Sequence, residues 1–148
     1  MSFDKPSLKG RALRYLAARE YSRFELEQKL KPFEENEGEL KAALDDLEAK
    51  GFISQSRVVE SVLNQKSPRF GSMRVLRDLR NKGVDEVALA DAAATLKYTE
   101  LDRAREVWMR KYGKLGEVAA TPSEWARQAR FLAARGFGAD VVARVLRN

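Results

Sequence analysis

The chain of 148 residues contains neither cysteine nor histidine, which excludes disulfides, thiolate or imidazole metal ligands, and catalysis by either side chain. The sequence also contains no calcium loop, phosphate-binding glycine loop or dinucleotide fingerprint, so we expect no enzyme, no metal and no cofactor. The net charge is +6, and residues 103–148 carry 10 basic against 4 acidic side chains, which indicates a polyanion or an acidic protein surface as partner.

No apolar stretch approaches the length of a bilayer span, and the first residues lack the apolar core of a signal peptide. We therefore expect a soluble, cytoplasmic protein that does not bind membranes.

Helical periodicity, capping residues and helix breakers predict nine helices in chain order. They are expected near residues 7–19, 22–31, 37–50, 54–66, 72–82, 85–96, 99–112, 121–135 and 139–147. Two starts have especially clear signals. Ser22 and Glu25 have the spacing of a capping box, while Thr121 is followed by proline at the first helical position and then by Glu124.

One joint recurs four times between these helices, at residues 16–21, 47–52, 79–84 and 132–137. In each copy a helix closes on a basic residue, a turn residue breaks it, and an apolar side chain precedes the next helix. The turn residue is glycine in three of the copies. The recurrence predicts helix-turn-helix joints that are used repeatedly, and hence an array of similar modules.

Nine helices with four joints divide most simply into three modules of three helices, at residues 1–52, 53–97 and 98–148. Within the last module, two glycines and a lack of periodicity place an internal linker near 113–120. The expected fold is all-α, a tandem array of helix-turn-helix-like modules that is elongated, curved and monomeric. Neighbouring modules should stabilise each other, since one such module alone buries little surface.

Four segments, in the same order and spanning nearly the whole chain, resemble the RecX family of recombinase regulators. They are residues 11–30, 44–53, 69–84 and 130–137. The resemblance implies a negative regulator of the RecA recombinase that lies in the helical groove of the RecA-DNA filament. It implies that the protein inhibits strand exchange, ATP turnover and filament-assisted cleavage of the LexA repressor, and that it also binds DNA weakly, with tolerance of sequence.

Basic side chains at helical spacing are the candidate contacts with phosphates or with an acidic filament surface. They are Arg69, Arg74, Arg77, Arg80 and Lys82 in the middle module, and Arg110, Lys111, Arg127, Arg130, Arg144 and Arg147 in the last third. Arg103, Arg105 and Lys114 stand near them in sequence. The alternative for each is an ordinary solvated helix face. Arg19 and Arg135 close helices, so compensation of the helix dipole explains them without any partner.

Aromatic side chains are expected mainly in the core, because most of them recur at equivalent positions on apolar stripes. This applies to Tyr15, Phe24, Phe52, Phe131 and Phe137. Phe70, in a Pro-Gly loop, is expected to be exposed, whereas the positions of Trp108 and Trp125 are left open.

Two alternatives to a RecA regulator remain at this point. The joints and the positive last third also suit a helix-turn-helix protein that binds DNA without RecA. A structural adaptor whose charges only keep it soluble is the third possibility.

Overall fold

The computed structural model describes residues 5–113 and 119–147, and all of its regular structure within those ranges is helical. The elements are α1 (Leu8–Ala18), α2 (Arg23–Leu30), a short 3-10 helix (Lys31–Phe33), α3 (Glu39–Ala49), α4 (Gln55–Lys66), α5 (Ser72–Asn81), α6 (Glu86–Tyr112), α7 (Pro122–Ala134) and α8 (Ala139–Leu146). The all-α prediction is confirmed. Most of the predicted linker near 113–120 lies outside the described residues.

The predicted helix starts at Ser22 and Thr121 are both confirmed, and each forms a capping box. Ser22 Oγ accepts from the backbone N–H of Glu25 at 3.1 Å, and the Glu25 carboxylate accepts from the N–H of Ser22 at 3.0 Å. Thr121 and Glu124 repeat the arrangement at the start of α7. Each box satisfies N–H groups that have no partner inside the helix, so these two helices begin where the sequence indicates.

The glycine joints follow α3, α5 and α7. Gly51, Gly83 and Gly136 all adopt left-handed backbone, with φ of 83°, 78° and 95°. After α3, the N–H of Phe52 donates to the carbonyl of Leu47 at 2.9 Å, which closes the helix end with the expected reversed turn. The joint after α1 contains no glycine and differs, because its helix ends on an extended residue.

The prediction of two helices over residues 85–112 is wrong, because α6 runs without a break for 27 residues. Thr99 was expected to start a new helix, but its hydroxyl donates back to the carbonyl of Leu96 at 3.4 Å. The stretch from Asp85 to Tyr112 contains no glycine or proline, so nothing in it breaks the hydrogen-bond ladder. The described residues therefore form eight α-helices.

Tertiary contacts divide the chain into two compact units. Unit 1 comprises residues 1–61 with 82–84, and unit 2 comprises residues 62–81 with 85–148. The three-module division at 52 and 97 stays a prediction.

Each unit has its own apolar core. In unit 1, Leu26, Leu30 and Leu44 are fully buried among side chains from α1, α2 and α3. In unit 2, a cluster around Leu132 and Phe137 joins α6, α7 and α8. Burial of such side chains is the main favourable contribution to folding.

Three of the aromatic predictions need correction. Phe24 and Phe52 were expected in the core but are 44% and 47% exposed, and Ile53 occupies the buried position beside Phe52. Phe24 instead covers the turn at Gly83, where a Cβ would lie 2.6 Å from the Phe24 Cβ. Phe70 was expected to be exposed and is half-buried. Tyr15, Phe131 and Phe137 do pack on their cores as predicted.

Candidate interaction surface

Charge is distributed unequally between the two units. Unit 1 holds 12 basic and 12 acidic side chains, whereas unit 2 holds 16 basic and 10 acidic, so the whole surplus of +6 belongs to unit 2. The surplus therefore begins before the last third of the chain and includes the basic residues of α5.

Most of the cations of unit 1 form ion pairs with carboxylates. The guanidinium of Arg23 contacts the carboxylates of Glu27, Asp45 and Glu48 at 3.2, 2.7 and 2.8 Å. Lys82 also belongs to this unit, where it is half-buried and lies 3.8 Å from the carboxylate of Glu25. Lys82, one of the candidate contact residues, thus already has a carboxylate beside it.

In unit 2, the basic side chains of α5 line a groove. Arg74, Arg77 and Arg80 are exposed at intervals of three residues, which places them along one side of the helix. Together with Met73, which is 66% exposed, and with Ala133, Ala134 and Gly136, they border a shallow cavity of about 470 Å³. We call this cavity the α5 groove.

The turn between α4 and α5 is held by a buried arginine. The guanidinium of Arg103 donates to the carbonyls of Ser67 and Phe70 at 2.9 and 2.7 Å, and to the carbonyl of Leu96 at 3.0 Å. Its Nε donates to the hydroxyl of Thr99 at 3.0 Å. Arg103 is therefore an interior side chain that fixes the turn, and its burial lowers its pKa.

Two further arginines bind the same turn. Arg110 donates to the carbonyl of Pro68 at 2.7 Å, and Arg135 donates to the carbonyl of Arg69 at 3.3 Å. Four successive carbonyls, at residues 67–70, thus each accept a hydrogen bond from an arginine. The bonds of Arg110 and Arg135 hold these two guanidinium groups in place at the protein surface.

The arginines around this turn border a second, smaller cavity of about 280 Å³. It is lined by Arg69, Arg110, Lys111, Arg135, Val107 and Phe131. We call it the arginine cleft. Sequence reasoning missed Arg135, because its place at the end of α7 explains a basic residue there without any ligand.

The remaining candidates lie on α7, on α8 and directly after α8. Arg127, Arg130, Arg144 and Arg147 are all exposed, and the guanidinium of Arg127 lies 5.9 Å from the centre of the Tyr112 ring. Lys114 lies outside the described residues. The structure thus groups Arg69, Arg110 and Lys111 in one cleft and the α5 arginines in one groove.

Comparison with known proteins identifies the family. Residues 9–47 match the family model described as "RecX, first three-helix domain", and residues 98–146 match "RecX, third three-helix domain". The chain is 49% identical to "Regulatory protein RecX" of Leptothrix cholodnii over 99% of its own length and 93% of the relative. The chain belongs to the RecX family.

Further RecX proteins agree with this assignment. "Regulatory protein RecX" of Herminiimonas arsenicoxydans is 44% identical over 95% of this chain and 91% of that protein. The crystal structure of RecX from Lactobacillus salivarius superposes with a TM-score of 0.78 at 18% identity, covering 94% of this chain and 92% of that one. At that identity the likeness shows the fold. The RecX relatives are named as regulatory proteins. Among the described residues, no helix has the length and apolarity to cross a bilayer.

Proposed function

We propose that the protein is a negative regulator of RecA that binds the RecA-DNA filament through the basic surface of unit 2. The family membership supports RecA as the partner. The observation that carries the proposal is that the whole charge surplus lies in unit 2, where seven basic side chains border one groove and one cleft.

The chemistry of a filament suits this surface. A RecA-DNA filament presents phosphates at regular intervals, and arginine guanidinium groups bind phosphate and carboxylate oxygens through paired N–H donors. Several weak contacts along such a repeating partner combine through effective concentration, so a deep pocket is not needed.

Occupation of the filament groove is the mechanism of inhibition that we propose. A protein lodged there obstructs the second DNA molecule, the protomer movements that accompany ATP turnover, and the approach of LexA. In this proposal the protein acts in the cytoplasm as a monomer. Its basic side chains contact the phosphates of DNA, so its binding to DNA tolerates changes of sequence.

The proposal is tested by ATP hydrolysis of RecA on single-stranded DNA, with the protein added before or after filament assembly. Binding to naked DNA is measured in the same buffer. Inhibition at concentrations too low to coat the DNA supports action on the filament, and the order of addition separates blocked growth from disassembly. No inhibition at a stoichiometric ratio to RecA would refute the proposal.

A second candidate is a DNA-binding protein that acts without RecA. It is favoured by α4 and α5, two helices joined by a short turn, the second of which carries an exposed basic side. This candidate is preferred if the protein inhibits RecA only at concentrations at which it saturates the DNA.

A further inference from the structure

We infer that the arginine cleft is a binding site for one phosphate group of a DNA strand. The inference rests on the proposed function for the presence of DNA, and it adds a defined site with a defined ligand. Four cationic side chains line the cleft: Arg69, Arg110, Lys111 and Arg135.

These cations are not neutralised by the protein. Within residues 5–113 and 119–147, none of the four forms an ion pair, whereas Lys66 pairs with Asp78 and Arg105 with Asp102 elsewhere in unit 2. Like charges that share one small cavity repel each other, which favours the entry of an anion.

The cleft is organised before any ligand arrives. Arg110 and Arg135 are each held by a turn carbonyl, at 2.7 and 3.3 Å, while a guanidinium has five N–H donors in all. The bonds to the turn therefore leave donors on both side chains. Lys111 is exposed and places its Nζ 4.7 Å from the centre of the Phe131 ring at the cleft wall.

A phosphate group fits this set of donors better than a single carboxylate. Phosphate offers several oxygens to donors that approach from different sides, whereas one carboxylate is matched by one arginine fork. The apolar wall of Val107 and Phe131 gives the sugar next to a phosphate a surface to pack on.

The α5 groove lies beside the cleft, which favours a phosphate within a DNA strand over a free phosphate ion as the ligand. The Phe70 ring lies between the two cavities, with Arg74 of the groove 4.0 Å from its centre and Arg69 and Arg135 of the cleft 5.6 and 5.5 Å away. A strand with one phosphate in the cleft has further cations available at Arg77 and Arg80. A free phosphate ion uses the cleft alone.

The test compares two double variants of the full chain, Arg69→Gln with Lys111→Gln and, as control, Arg14→Gln with Lys97→Gln. Each removes one arginine and one lysine charge. The control residues are exposed, and Lys97 lies on the same helix as Lys111, about 21 Å away along it. The Arg69 and Lys111 side chains donate no hydrogen bond to the turn, so both variants should keep the wild-type circular dichroism spectrum.

The readout is fluorescence anisotropy of a labelled single-stranded oligothymidine over a range of salt concentrations, without RecA. The cleft variant should bind about tenfold more weakly than the control at low salt, with a log-log salt slope shallower by about 0.7 for each phosphate that the variant no longer neutralises. Equal affinity and slope in both variants would overturn the inference, whether or not the wild-type protein inhibits RecA.

Two further measurements identify the ligand of the cleft. Millimolar inorganic phosphate at constant ionic strength should leave oligonucleotide binding unchanged, and displacement would assign the cleft to a free anion instead. Unchanged oligonucleotide binding with weaker inhibition of RecA ATP hydrolysis would assign it to an acidic protein group, which also contradicts a DNA phosphate.

Discussion

Gly71 and Gly136 touch through their backbones. A Cβ placed on Gly71 would lie 2.3 Å from the carbonyl carbon of Gly136, and the N–H of Gly71 donates to the carbonyl of Arg135 at 2.7 Å. Gly136 in turn lies on the start of α5, where its own Cβ would meet the Arg74 Cβ at 2.6 Å. The joint after α7 is thereby fixed against the turn that contributes Arg69 to the arginine cleft, and Gly136 itself lines the α5 groove.

The substitution Gly71→Ala should destabilise the protein by about 2 to 3 kcal/mol, because the added methyl group meets rigid backbone. Urea unfolding followed by circular dichroism measures the change in unfolding free energy. Gly10→Ala is the control, since its Cβ meets no backbone of another segment, only the Ser7 hydroxyl at 3.2 Å, and alanine favours the helix. Equal stability of both variants would contradict the close approach.

The substitution Arg103→Met should cost about 3 kcal/mol of unfolding free energy, because it leaves the turn carbonyls of Ser67 and Phe70 without this donor. Arg103→Lys should rescue little, since an ammonium group lacks the fork that reaches several acceptors at once. Thermal unfolding of the three variants measures these changes. Arg105 is exposed on the same helix, so Arg105→Met should be nearly neutral.

Glu25 predicts a dependence of stability on pH. Burial raises the pKa of its carboxyl, but hydrogen bonds from Arg19 and Ser22 and the charge of Lys82 outweigh it, so the net pKa lies below the ordinary value. The folded state therefore gains stability above the unfolded pKa of about 4.3, and loses it as the pH falls through the lowered folded pKa.

We accordingly expect Glu25→Gln, which keeps the capping box, to be about 1 kcal/mol less stable than wild type at pH 7. The difference should shrink at pH 3, as measured by urea unfolding at both values. Glu37→Gln, exposed in the same unit, controls for the removal of one negative charge. A difference that persists unchanged into acid would refute the role of the Glu25 charge.

The continuity of α6 can be checked at Tyr98, which is 91% exposed at the predicted helix break. Tyr98→Gly should be about 1 kcal/mol less stable than Tyr98→Ala, because glycine is costly inside a helix and both variants remove the same tyrosine ring. Equal thermal stability would indicate a joint at this position.

The exposed cations on α7, on α8 and directly after α8 are the second candidate contact set. Reversal of Arg127, Arg130, Arg144 and Arg147 to glutamate should markedly reduce inhibition of RecA and binding of DNA, while the circular dichroism spectrum stays unchanged. The matched control reverses four exposed cations outside the candidate sets, namely Lys5, Arg14, Lys29 and Lys97. Unchanged inhibition and binding would favour the structural adaptor.

Capping residues and left-handed glycines made most of the helices predictable, since these signals act between residues close in sequence. Ser22, Thr121 and the three joint glycines stand where the sequence indicates. The break expected near residue 97 failed because periodicity alone cannot distinguish two helices in line from one long helix.

The candidate surface could be predicted only in part. Composition indicated the basic α5 helix and the positive last third, because charge is visible in sequence. The interior role of Arg103 and the place of Arg135 in the cleft were not predictable, since each depends on residues about 30 to 70 positions away.

Local sequence was thus enough to determine the helical class, the repeated joints and the sign of the charge, because caps, turns and net charge depend on neighbouring residues or on composition. Tertiary structure decided which cations are neutralised, which are buried and which share a cavity. The reason is physical: an arginine on a helix surface has the same local sequence signature whether its guanidinium meets a carboxylate, a distant carbonyl or solvent.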